Sequence, residues 1–152
     1  SFSSGLRAED APAAAQPSYD FGDQTSMTLT TKAWKASESN DLAAVKAYTG
    51  QCIKLYEATA LAQQGKLTGP VPTSDPALVH ANWALNDVGT CYFILGQALE
   101  KANQPSAAVK AYKTLVEKLS YSKCWDTKGW FWSPADAARG RIKALEFDAA
   151  MK

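Results

Sequence analysis

Cys124-Trp125-Asp126-Thr127-Lys128-Gly129-Trp130-Phe131-Trp132 is the stretch richest in chemical possibility, with three of the chain's five tryptophans. Aromatic rings dominate recognition energy. Trp125, Trp130, Phe131 and Trp132 therefore read as a platform for a sugar ring, a peptide or a neighbouring subunit. The better fit to a small helical protein is a hydrophobic plug against the last two helices. Such a protein has little core of its own, and three exposed tryptophans would be a liability. One or two rings can still face outward.

Catalytic constellations are hard to assemble. Glycoside hydrolysis needs two carboxyl groups roughly 5 to 9.5 Å apart. Asp87, Asp126, Asp136 and Glu117 are the candidates, and no spacing brings two of them across a cleft. They read as surface carboxylates and helix caps. A Ser-His-Asp or Cys-His site must use His80, the single histidine. It has no neighbouring nucleophile in sequence and reads as a surface residue. No catalytic residue is assigned. The chain has three cysteines and no Cys-x-x-Cys pair, so no zinc site is expected, and no other metal or cofactor.

Cys52 lies four residues after Tyr48, and Cys91 four before Leu95. Each then sits on the inner face of its helix, and a stack of antiparallel helix pairs would make the two helices neighbours. A disulfide is one reading, permitted in an exported protein. Two buried free thiols are the other. Cys124 would be left over, buried beside Trp125 or linked to another chain.

The elements that must position these groups follow from an internal repeat. Ala43-Ala44-Val45-Lys46-Ala47-Tyr48 recurs letter for letter as Ala107-Ala108-Val109-Lys110-Ala111-Tyr112, 64 residues later. Duplication of this kind signals a repeat architecture. Apolar spacing predicts a helix over Thr28 to Ser37, anchored by Trp34, a turn at Asn40-Asp41 with Asp41 as N-cap, and a helix over Leu42 to Gln63. Glycines and prolines mark a loop from Gly65 to Asp75. One long helix is predicted over Ala77 to Ala102. A second starts at Pro105, where a first turn tolerates proline, and runs to Leu119. An aromatic loop spans Ser120 to Pro134, and a last helix runs from Pro134 to Phe147. The expectation is all-α, about five helices, with no strands of consequence.

Tyr92, Leu95-Gly96, Ala108 and Tyr112 resemble the tetratricopeptide repeat, with Leu99 and Leu115 departing from its pattern and Lys32 standing where the first copy would need glycine. The resemblance implies a short array of antiparallel helix pairs with a C-terminal capping helix. Gly96 and Ala108 would let two backbones approach while Tyr112 fills the groove, and Tyr48 would do so in the first copy. The wider pattern, with Tyr19-Asp20-Phe21-Gly22-Asp23 and Ala84-Leu85-Asn86-Asp87-Val88, resembles small exported bacterial repeat proteins.

The helical domain is expected over 19–152, after a flexible Ala/Pro-rich arm over 1–18. Leu6-Arg7-Ala8 before Glu9-Asp10 resembles a signal-peptidase site, which points to export, periplasmic or extracellular. Tyr19 and Phe21 either dock the arm on a subunit or pack as a turn on the first helices. Formal net charge is +1, which gives no bulk attraction to nucleic acid. No apolar run approaches the ~20 residues of a membrane span. The expected function is non-catalytic: protein–protein interaction or assembly. A self-assembling filament subunit, its arm contacting neighbours, is the alternative. Carbohydrate binding through the tryptophan loop is a weaker one.

Overall fold

The computed structural model describes residues 18–152; the arm's signal-peptidase-like site lies outside the described residues. Six helices and one short hairpin follow in order: α1 (Ser26–Glu38), α2 (Leu42–Lys66), α3 (Pro76–Ala81), α4 (Trp83–Lys101), α5 (Pro105–Lys118), β1 (Cys124–Asp126), β2 (Trp130–Trp132) and α6 (Pro134–Ala150). The fold is all-α, as the apolar periodicity implies.

Three details differ from the sequence expectation. The long helix over 77–102 is broken at Asn82. Its side-chain amide turns back onto the Leu78 carbonyl at 2.9 Å and does not cap α4. The Leu85 N–H is instead taken by Gln63 Oε1 of α2 at 2.9 Å. The aromatic loop contains a real antiparallel hairpin, with Trp125 opposite Phe131. Aromatic residues favour a pleated strand, and the Gly129 N–H closes the turn on the Asp126 carbonyl at 2.9 Å. Finally, α2 runs on through Gly65 to Lys66.

Caps fix most helix starts. Thr25, Asp41, Asp75 and Ser133 each accept a backbone N–H from the first turn of α1, α2, α3 and α6. Proline occupies the first turn of α3, α5 and α6.

The sequence repeat has a backbone counterpart. Asn40 and Asn103 both adopt positive φ, 53° and 57°. The Asp41 N–H bonds the Ala36 carbonyl, and the Gln104 N–H bonds the Leu99 carbonyl. Both are the six-to-one closure of a helix end. Each leads directly into the helix that carries a copy of the hexamer. The helices then pack mostly in succession, α1 on α2, α2 on α4, α4 on α5 and α5 on α6, with α1 also touching α4. The central helix α4 buries residues on almost every side, among them Leu85, Val88, Cys91, Phe93, Ile94 and Leu99. A helix whose apolar residues spread well beyond one stripe belongs in the core.

Candidate binding site

Trp83, Asn86, Asp87 and Thr90 recur at helical spacing on α4 and line one cleft. Asn86 locks the surroundings of that cleft in place. Its Nδ2 donates to the Val79 carbonyl of α3 at 2.7 Å, and its Oδ1 accepts the Lys123 N–H at 2.8 Å. Gly89 allows the strand approach to pass closely, since a Cβ there would stand 2.4 Å from Ser122 Oγ. The buried Ser122 hydroxyl donates to the Leu119 carbonyl at 2.8 Å. Together these contacts hold Lys123, Cys124 and Trp125 beside α4.

The start of α1 supplies another wall through Thr25, Ser26, Met27 and Thr30. It is anchored from α2, where the Tyr56 hydroxyl donates to the Gln24 carbonyl at 2.6 Å. The cleft has a volume of about 610 Å³. Its aromatic lining is paired edge to face: Trp125 on Phe131 at 4.8 Å, Trp83 on Tyr56 at 5.6 Å, and His80 on Phe131 at 6.1 Å. Trp83 is 45% exposed and Trp125 54%, so both present ring surface to solvent.

The electrostatics centre on Asp87. The Ser26 hydroxyl donates to its carboxylate, joining α1 to α4. Burial pushes the Asp87 carboxyl above the usual carboxylate range, and the Ser26 bond only partly offsets this. The ion pairs among the described residues are Lys113–Glu146, Arg139–Asp136 and Arg141–Glu100, and none involves Asp87. At the mouth, Asp23 is held below its ordinary range, first by the Thr25 backbone N–H and then by the Thr28 and Thr25 hydroxyls.

Cys124 also lines the cleft. Burial pushes its thiol up, and the charges of Asp87 and Asp126 add to this against hydrogen bonds involving Thr90 and Trp132. A thiol kept protonated is a poor nucleophile. His80 is set against the Phe131 ring. Of the four candidate acids, Asp87 and Asp126 both act on the Cys124 thiol, yet they open onto different hollows. Asp126 lines a second one with Trp34, Phe93 and Trp132, and Cys124 and Trp125 border both. Asp136 pairs with Arg139, and Glu117 is exposed on α5.

The aromatic hairpin is therefore divided between the plug and platform readings. Trp132 turns inward onto Phe93 at 5.1 Å, and Phe131 is half-buried. Trp125 faces the cleft, and Trp130 stands 52% exposed. Tyr19 and Phe21 are not brought to the cleft. They pack edge-on against Tyr48 at 5.7 and 6.0 Å, as a turn on the first helices. Cys52 and Cys91 are both buried, as free thiols on the adjoining helices α2 and α4. Leu95 is half-buried, and Gly96, Ala108 and Tyr112 are buried where α4 meets α5.

Trp83, Ser26 and Asn86 escape the sequence reading as site residues. A signal was available: a polar face of Asn86, Asp87 and Thr90 beneath Trp83 interrupts an otherwise apolar helix. Among the described residues, no group of histidines, cysteines and acids is arranged to hold a metal ion, and no helix is long and apolar enough to cross a membrane. Compared with known proteins, the chain matches no family model, no curated protein and no solved structure.

Proposed function

We propose that this chain is a non-catalytic, exported helical-repeat protein that binds a polypeptide segment in the aromatic cleft between α1, α4 and the hairpin. The observation that carries the reading is the pair of half-exposed tryptophans, Trp83 and Trp125, from separate elements lining one cleft. Exposed clustered rings mark interaction surfaces, and stacked helix pairs are used for association. The resemblance of Tyr92, Leu95-Gly96, Ala108 and Tyr112 to a tetratricopeptide unit adds to it.

Photo-crosslinking tests this directly. A benzophenone amino acid replaces Met27, which lines the cleft, or Met151 just past the end of α6 as control. The cleft reading expects one defined polypeptide adduct from position 27 and none from position 151. Adducts from 151 alone, or none from either, would reject it.

A second reading, a self-assembling extracellular subunit, rests on the C-terminal end of the stack. Phe147 and Met151 are 65% and 71% exposed there, whereas the end of a soluble repeat stack carries a polar outer face. Heterologous end contacts produce filaments. Negative-stain microscopy would then show regular polymers, lost on deletion of residues 1–16.

A further inference from the structure

We infer that the cleft selects a basic side chain, a lysine or arginine of the bound polypeptide, seated among Trp83, Trp125 and Phe131 with its cation on Asp87. The inference rests on the polypeptide-binding reading above and names what that polypeptide must carry.

Three observations support it. First, among the described residues Asp87 has one side-chain hydrogen-bond donor, Ser26, while a carboxylate offers about four lone-pair sites. Acceptor capacity therefore remains for an incoming donor. Second, no cation of the described residues is paired with Asp87. Lys123 lines the same cleft, but it forms no ion pair with Asp87. Third, the walls are aromatic, and ring faces attract ammonium and guanidinium groups, more so when water is excluded.

Charge decides between the possible occupants. The cleft lining carries two carboxylates, Asp23 and Asp87, against the single ammonium of Lys123. An acidic segment meets like charge at the floor and at the mouth. A purely apolar segment covers Asp87 without giving it a partner, which is costly for a buried carboxylate. A long basic side chain satisfies both demands, because its methylene stem lies along the rings while its head reaches the carboxylate. Arginine adds a planar face that stacks on aromatics and a fork that matches a carboxylate.

The test is a selection from random hexapeptides displayed on phage, run in parallel on the parent protein and on Asp87→Asn. The inference expects lysine or arginine enriched at one position on the parent. The best peptide should lose about tenfold or more in affinity on Asp87→Asn, and by a similar factor when its basic residue becomes norleucine. The norleucine arm stands even where the variant folds poorly. Peptides without a basic residue, or binding that Asp87→Asn and norleucine leave unchanged, would overturn the inference and spare the polypeptide reading. No enrichment of any sequence would overturn both.

Discussion

The Tyr112 ring occupies the space that a side chain on Gly96 would need: a Cβ there would come within 2.3 Å of Tyr112 Cε1. Tyr112 is itself fully buried, so the ring has little room to move. Gly96→Ala is expected to destabilise the fold by about 1–3 kcal/mol, the usual cost of overpacking, despite alanine's better helix propensity. Gly50→Ala is the control. Gly50 lies inside α2, and a Cβ there would meet nothing within 4 Å, so alanine should add roughly 0.5–1 kcal/mol. Urea midpoints of the two variants check the opposite signs.

That glycine and its tyrosine were legible in the sequence through the resemblance of Leu95-Gly96, Ala108 and Tyr112 to the tetratricopeptide spacing, which implies a small residue where two helices approach. The repeated hexamer likewise announced its two helices, α2 and α5. The break at Asn82 was not legible, since nothing local forbids a helix there. Part of its support is Gln63, 22 residues before Leu85, which takes the Leu85 N–H. The cleft was hidden for the same reason. Ser26 and Asp87 are 61 residues apart in sequence, and only the packing of α1 on α4 brings them together. Asp87 was visible as an acid, but its burial was not.

Acid should weaken the fold through Glu100. Burial alone would raise its carboxyl, but the hydrogen bonds from Arg141 and Tyr112 and the Arg141 charge outweigh that and hold it below the ordinary range. The Tyr112 hydroxyl donates to it at 2.5 Å, and Arg141 Nε donates at 3.1 Å. A depressed folded-state pKa stabilises the protein above the unfolded value of about 4.3, and the gain is lost as pH falls through the folded one. Glu100→Gln should therefore lower Tm at pH 7 and flatten its fall between about pH 5 and 3.

Asp87 should act with the opposite sign. Its folded pKa is raised, so its contribution is best below the unfolded value of about 3.9 and declines as pH rises through the folded one. Asp87→Asn keeps an oxygen for the Ser26 hydroxyl and removes the buried charge. Its Tm at pH 7 should equal or exceed the parent's, measured by circular dichroism. A clear loss of Tm would show that the charge itself supports the fold.

Cys52 and Cys91 are buried on the adjoining helices α2 and α4, and the nearby Cys52 thiol and burial push the Cys91 thiol well up. The Thr30 hydroxyl also lies 3.4 Å from Cys91 Sγ. Refolding in a glutathione buffer is expected to close the pair: both thiols lose their protons and two electrons pass to glutathione disulfide, giving two glutathiones. The bridge would close a loop of roughly forty residues and add about 4 kcal/mol. Peptide mapping without reductant checks this. Three alkylatable thiols after such refolding would contradict it.

The central claim is that Trp83 and Trp125 form a polypeptide-binding surface, and the indole N–H signals of the five tryptophans test it most directly. A lysine-containing hexapeptide from the selection is titrated into 15N-labelled protein and followed by heteronuclear NMR. The account expects the Trp83 and Trp125 signals to shift saturably, with Trp34 and the inward-turned Trp132 nearly still. Saturable shifts confined to Trp130, or none at Trp83 and Trp125 while the peptide binds, would contradict it.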